Sequence, residues 1–519
     1  MHLFSVLFEA PTVDGELRTV EGLEKAVEWC RDSGLGKVFV ESYRDGIFVD
    51  EELLARVRDR FLREGFAVCG CVTTTKLPRN SNNWPDACCY SDAKTRERVR
   101  EIFARTASVF DVIIIDDFFF TDCTCELCEA SRGSMNFDDY HCDIMHKVAV
   151  EDVLPTVRRI NPECKVIIKY PLWYEDYHKN GYDVIRQTQV FDMTWAGTET
   201  REPDAKAWGR NPQTNAFFVM EWQNKLGQGK CKGGWYDTLS TTPATYLDQA
   251  RQTVLGHAKE TMLYSYQFLT LQQGVPSEPD YTPGIENTDA LRKERPALDK
   301  LQAIVESKRT VGVSVPKQPH SDAAVERYLG SFYGLIGIPV DPDTELNPCA
   351  PAVILGMQAA GYPGIREYVR GMQAAGRPVA VTAGFENETG IGGDCVIDIT
   401  ENYKGREGFD PKDNWNILDL PEQLLNEIRD KLTEPFGLIF RGPVNVGLNL
   451  YGNDTEVIQN FRNEDVEVTL DLYGRDPAER QVLLTLSDDK KVTIMRKGSR
   501  YTLNIPARTY AVLGTTGTV

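Results

Sequence analysis

The sequence predicts a (β/α)8 barrel, followed by a small flavodoxin-like α/β unit and a C-terminal antiparallel β-sandwich. Three observations carry this expectation. Short apolar runs alternate with amphipathic stretches eight times in the first three hundred residues, the pattern of a parallel α/β barrel. The alternation restarts on a smaller scale after residue 309. From about residue 436, short strands follow one another with turn signals and no helices between them, as in a sandwich.

The eight predicted strands lie at 3–8, 37–42, 67–73, 112–118, 165–170, 191–194, 217–222 and 262–266, with helical patterns such as 20–32, 50–63, 95–107 and 148–160 between them. No G-x-G-x-x-G follows the first strand, which argues against a doubly wound dinucleotide fold. A helix at 289–308 leaves the barrel. The second unit is predicted from strands at 311–315, 352–355, 378–382 and 394–397 with helices at 323–336 and 363–374. The sandwich strands are predicted at 447–450, 457–461, 466–472, 481–486, 491–495 and 501–505. The expected units are therefore 1–305, 306–430 and 431–519, and 519 residues are too many for one core.

Composition narrows the function. With 41% hydrophobic and 26% charged residues the chain reads as an ordinary globular protein. A formal net charge of −19 argues against nucleic acid or anionic membrane as a partner, since both need a basic footprint. No apolar run approaches the ~20 residues of a membrane span, and the N-terminal MHLFSVLFEA has no basic leader, so a first strand is expected from Leu3. Thirteen cysteines, an odd number scattered through a long chain, suit reduced thiols and one metal site in the cytoplasm better than a disulfide framework.

In a barrel the chemistry sits at the C-terminal ends of the strands. The predicted ends supply Glu9, Glu41 with Arg44, Asp116 and Asp117, Lys169, Trp195 with Glu199, Glu221 with Trp222, and Tyr266 with Gln267. Aromatic faces with carboxylates and amides suit the ring and hydroxyls of a small carbohydrate, although strand-end acids also serve metals and phosphates. Glycoside cleavage needs two carboxyl groups, one to protonate the leaving oxygen and one to attack or stabilise the anomeric carbon; ~5–5.5 Å between them gives retention and ~6.5–9.5 Å inversion. Strand four offers Asp116 and Asp117, of which only one faces the mouth if the strand continues, and the predicted strand seven offers Glu221. Glu199 is the substitute acid, Lys169 either reads hydroxyls or pairs with Asp117, and Trp195, Trp222 and Trp235 are platform candidates. Asp116, Glu41, Lys169, Trp195, Trp222 and Tyr266 are thus the expected substrate contacts.

Six residues beyond Asp117 begins the C-x-C-x-x-C cluster of Cys123, Cys125 and Cys128. Three thiolates so close suit tetrahedral Zn²⁺ with a fourth ligand from elsewhere in the chain. An all-thiolate site is closed, so its role is structural.

The run IDDFFFTDCTCELC and the later FFVMEW and TMLYSYQF resemble glycoside hydrolase family 42, the three-domain β-galactosidases. There the strand-four acid is followed by a C-x-C-x-x-C zinc cluster whose upstream ligand follows strand three, a position best matched by Cys89, with Cys88 and Cys142 as substitutes. The resemblance implies Asp117 as acid/base and Glu221 as nucleophile of a retaining, exo-acting glycosidase, and a second unit related to amidotransferases that helps form trimers. The chain departs from the pattern in having Asp116 where the family has Asn and Asp117 where it has Glu. Three rivals stay open: an α-specific glycosidase with the strand-four aspartate as nucleophile, a non-catalytic sugar-binding or assembly protein, and a zinc-thiolate enzyme. Cys349 and Cys395 show no nucleophile elbow, so no activity is expected in the second unit.

Overall fold

A computed structural model describes residues 2–203, 211–272, 283–323, 326–392, 396–398, 414–484 and 491–515. Eight parallel strands close into a barrel: β1 (Leu3–Phe8), β2 (Lys37–Arg44), β3 (Ala67–Val72), β4 (Val112–Ile115), β5 (Lys165–Tyr170), β6 (Met193–Gly197), β7 (Cys231–Asp237) and β8 (Glu260–Tyr264). Each pairs in parallel with the next, and β8 returns to β1. The lumen is packed by inward side chains including Leu7, Phe39, Cys71, Ile114, Ile167, Trp195, Trp235 and Met262, so it is a core and not a channel.

The helices around the barrel begin where a side chain can satisfy their free N–H groups. Thr19 accepts from Gly22 N at the start of helix Val20–Asp32, Asp50 from Leu53 N before Glu51–Arg63, and Asp92 from Thr95 N before Ala93–Val109. The stretch predicted as a helix at 148–160 is a π-helical segment Val148–Val153 running into helix Leu154–Ile160.

The main correction concerns strand seven. Residues 217–222 are not a strand but the middle of helix Asn215–Gly227. A short apolar run does not by itself distinguish a buried helix from a buried strand. This helix is covered on nearly every side, lodged between the barrel and the second unit, where Lys225 binds Asp341 and Asp343 at 2.6 and 2.7 Å. The true seventh strand has the sequence CKGGWYD, and its paired glycines hide it from propensity. Their absence of side chains is what the barrel requires: a Cβ on Gly233 would fall 2.6 Å from the Trp195 indole, and one on Gly234 would strike the Thr253 methyl.

Beyond helix Gly284–Val305, β9 (Thr310–Val311) pairs antiparallel with a C-terminal strand, and the second unit begins. Its strands β10 (Val313–Pro316), β11 (Val340–Asp343), β12 (Val353–Leu355), β13 (Val379–Val381) and β14 (Val396–Asp398) form a parallel sheet in the order β11-β10-β12-β13-β14. This is the flavodoxin-like order 2-1-3-4-5. β11 was absent from the predicted set because its VDPD sequence carries two acids and a proline. Asp394, Cys395, Thr485 and Leu486, placed in predicted strands or considered as nucleophile, lie outside the described residues.

The C-terminal strands are β15 (Ile439–Arg441), β16 (Val446–Tyr451), β17 (Thr455–Asn460), β18 (Val466–Asp471), β19 (Arg480–Leu484), β20 (Thr493–Lys497), β21 (Arg500–Ile505) and β22 (Tyr510–Thr515). They make two antiparallel sheets, β9-β16-β17-β22-β19 and β15-β18-β21-β20, with alternating burial such as that of β18, whose Val466, Val468 and Leu470 face inward.

Candidate active site

A cleft of about 620 Å³ opens at the C-terminal ends of the barrel strands. Its floor is built by β4. The strand ends at Ile115, earlier than predicted, so strict alternation stops there and both Asp116 and Asp117 reach the cleft. Asp116 accepts from Arg44 Nη2 at 2.7 Å and from Thr73 Oγ1 at 3.1 Å. Burial works against its charge, but Lys169 and Arg44 outweigh it and hold the carboxyl below its usual range.

Asp117 is the opposite case. Its Oδ2 accepts from Lys169 Nζ at 2.8 Å, and its side chain remains 19% exposed at the cleft. Burial, reinforced by Asp116 and Glu199 and opposed by Lys169, raises the carboxyl to about 7. Lys169, at the end of β5, is shared: its Nζ also donates to Glu199 Oε1 at 3.0 Å and lies 3.7 Å from Asp116 Oδ1. Burial disfavours the ammonium, but the three acids more than compensate and it keeps its proton. The same nitrogen sits 4.3 Å from the centroid of Trp235, below it on β7.

β7 ends on Asp237, which also lines the cleft. Arg201 Nε donates to Asp237 Oδ1 at 3.0 Å, and Leu239 N donates to the same oxygen at 3.1 Å. Asp237 was missed because the glycine pair ahead of it conceals the strand; the signal available was the acid closing an aromatic pair, Trp235-Tyr236-Asp237. Trp84, Asn211, Arg327 and Tyr328 also border the cleft without having been singled out, the last two reaching the rim from the second unit. Arg327 is fixed there by Asp176, with Nη1 to Oδ1 at 2.9 Å.

The remaining expected contacts divide. Asp116 and Lys169 line the cleft. Glu41 is fully buried beneath it and does not line it, accepting from Ala10 N at 2.7 Å and orienting Arg44 through Arg44 Nε at 2.8 Å; burial, opposed by Arg44, raises its carboxyl to about 7. Trp195 is in the packed lumen, edge-on to Phe39 at 5.6 Å. Trp222, on helix Asn215–Gly227, donates to the Lys317 carbonyl at 2.9 Å. Tyr266, beyond the end of β8, donates to Glu16 at 3.0 Å and packs on Phe8 outside the barrel.

Glu221 is not at the mouth either. It is 5% exposed on the same helix and pairs with His257 Nδ1, while His257 Nε2 meets the carbonyls of Val305 and Lys308 at 3.2 and 3.0 Å. His257 precedes β8, so the pair belongs to the N-terminal end of the barrel, against Tyr451 of the C-terminal sheets. With an acceptor at each ring nitrogen the imidazolium is favoured, and Glu221 raises its pKa against the effect of burial.

The thiol cluster is assembled from two loops. Cys89, Cys123, Cys125 and Cys128 place their sulfurs within 4.8 Å of one another, an arrangement able to hold a metal ion. Cys88 and Cys142 turn elsewhere, to the carbonyls of Thr74 and His178. The cluster ties the loop after β3 to the loop after β4. Asp122 reinforces the tie, accepting from Ser81 Oγ at 2.6 Å and from Trp84 N at 3.0 Å.

Comparison with known proteins gives a consistent picture. The model of a family described as "Probable glycosyl hydrolase, catalytic domain" matches residues 1–303. An uncharacterized protein of Saccharolobus solfataricus is 24% identical over 380 residues, covering 66% of this chain but only 60% of its own length. Among solved structures, Gan42B, a GH42 beta-galactosidase from G. stearothermophilus, superposes with a TM-score of 0.62 at 12% identity over 98% of both chains. An apo exo-carrageenase GH42 from Bacteroides ovatus superposes at 0.53 and 10% identity, over 99% of this chain and 79% of that one. At these identities the structural likeness establishes the fold.

Proposed function

We propose that this chain, which belongs to the family described as "Probable glycosyl hydrolase, catalytic domain", is a retaining glycosidase that removes sugars from the ends of short glycosides. The observation that carries the reading is Asp117: a carboxyl at the end of β4, open to the cleft and raised to about 7 by burial and by its acidic neighbours. Such an acid keeps a proton near neutrality and still gives it up, as a general acid must. Of the other carboxylates on the cleft, Asp237, from β7 and held by Arg201, takes the nucleophile's role in place of Glu221. A β-linked galactoside is the first candidate substrate, by likeness to the GH42 beta-galactosidase.

In the first step the Asp117 proton passes to the glycosidic oxygen, the bond from that oxygen to the anomeric carbon breaks, and an Asp237 oxygen bonds to that carbon. In the second, Asp117 takes a proton from water, the hydroxyl adds to the anomeric carbon, and the Asp237 ester bond breaks. Lys169 holds Asp117 and Glu199 in place between turnovers. The four thiols suit a closed, structural zinc site, which would pin the rim loops and take no part in these steps. Among the described residues no cysteine is disulfide-bonded, which supports a reducing, cytoplasmic setting. A homo-oligomer, a trimer by the family resemblance, belongs to the same reading.

The test is release of the sugar from a panel of α- and β-linked aryl glycosides by wild type, Asp117→Asn and Asp237→Asn, with the configuration of the first-formed sugar followed by NMR. Retained configuration and loss of activity in both variants are expected. Full activity in Asp237→Asn would end the assignment. One observation favours a second reading: Lys169 and Arg44 hold Asp116 ionised, as a strand-four nucleophile of an α-glycosidase requires. Consumption of the α-anomer, with Asp116→Asn inactive, would select it.

A further inference from the structure

The cleft is divided by chemistry. Toward β5, β6 and β7 it presents Lys169, Glu199, Arg201 and Asp237, groups suited to sugar hydroxyls. On the β3–β5 side, immediately beyond Asp117, it presents Trp84, Phe118, Phe120 and Trp173. These rings brace one another: Trp84 lies 5.1 Å from Phe120 and 6.2 Å from Phe118, and Phe120 lies 5.5 Å from Trp173, mostly edge to face. Trp84 is nevertheless 40% exposed, one of few large apolar side chains so uncovered among the described residues. An exposed indole held rigidly against a cleft is apolar surface awaiting a ligand. Its loop is fastened by Asp122 and by the thiol cluster, so the surface is built and not adventitious.

The general acid identifies which part of a substrate meets this wall. A carboxyl that protonates the glycosidic oxygen stands between the sugar and the group that departs. Phe118 is the residue after Asp117, and Tyr182, which packs on Phe120 and Trp173, donates its hydroxyl to the Asp117 carbonyl. The wall therefore lies on the leaving-group side. We propose that Trp84, Phe118 and Trp173 form the leaving-group subsite and select a flat, apolar alcohol, an aromatic aglycone, over a second sugar. Trp84, Phe118, Phe120 and Trp173 bring no carboxylate or amide, so a second sugar would find ring faces there without the partners its hydroxyls need. The inference rests on the glycosidase reading.

The experiment compares kcat/KM on the 4-nitrophenyl and methyl glycosides of one sugar. Using wild type, Trp84→Ala, Trp173→Ala and Trp84→Phe, the change in the aryl-to-methyl ratio cancels the intrinsic reactivity of the two leaving groups. The ratio is expected to fall about tenfold in each alanine variant, equivalent to ~1.4 kcal/mol, and to recover in Trp84→Phe. Equal ratios in all four proteins would overturn the subsite while leaving hydrolysis standing. If wild type cleaves no glycoside, the glycosidase reading fails, and calorimetric titration with 4-nitrophenol decides the wall separately. Weaker binding to Trp84→Ala than to wild type upholds it, and equal or absent binding overturns it.

Discussion

Two buried acid–base assemblies, at opposite ends of the barrel, are satisfied in different ways. At the C-terminal end, Lys169 serves Asp117, Glu199 and Asp116 at the edge of a cleft. At the N-terminal end, Glu221 serves His257, sealed by helix Gly284–Val305 and by Tyr451. In the first, three acids share Lys169, Arg44 relieves only Asp116, and Asp117 is left with a raised carboxyl facing the cleft. In the second, one acid meets one base, and every ring nitrogen has a backbone or carboxylate partner. Frustration beside a cavity is what catalysis requires, and full satisfaction away from one is what a structural clamp requires.

The largest expected effect separates the two ends. Asp117→Asn should lower kcat/KM by ~10²–10⁴-fold, the usual contribution of a general acid, without lowering the melting temperature. The sign follows from linkage. A carboxyl raised on folding costs stability above its unfolded pKa, increasingly up to about 7, so removing it relieves that cost at pH 8. Glu221→Gln should do the reverse, leaving hydrolysis near wild type while removing ~3–5 kcal/mol of unfolding free energy, as when one partner of a buried pair is lost. Chemical denaturation and the release assay on the same samples check both, and an inactive, stable Glu221→Gln protein would erase the distinction.

A smaller effect concerns pH. The folded pKa of His257 is raised, so the stability it contributes is complete below ~6.5, its unfolded value, and is lost as pH rises through the folded value. The gap in melting temperature between wild type and His257→Gln should be widest near pH 6 and narrow as pH rises through the raised folded value. At the mouth, kcat/KM should fall as pH rises through about 7, when Asp117 loses its proton. Lys169 favours the ionised form, so Lys169→Met should move that limb to higher pH. An unmoved limb would mean that Asp117 is not the titrating acid.

The smallest effect on chemistry is expected from the thiol cluster, which lies behind the rim. Elemental analysis should find one zinc per chain, lost in Cys125→Ser. Removing it should reduce activity several-fold, mainly through KM, because the loop bearing Trp84 loosens while Asp117 and Lys169 stay on their strands. Loss of kcat with KM unchanged would place the metal in the reaction.

Several features were legible in the sequence because their causes are local. The β-branched run ending at Ile115, the two acids after it and the spacing of Cys123, Cys125 and Cys128 occupy a single stretch. Strand, rim and thiol cluster can be read from neighbours in the chain. Strand seven was not legible, since its cause is remote. Gly233 and Gly234 are required by Trp195 and Thr253, which only the closed barrel brings against them, and the apolar run 216–220 is buried in a helix lodged between the barrel and the second unit. Sequence alone thus determined the barrel, the strand-four acids and the spacing of the cysteine cluster. The tertiary structure decided that Asp237, and not Glu221, shares the cleft with Asp117. An apolar run records only that a segment is buried; which face of the fold it is buried against is a property of all the segments packed together.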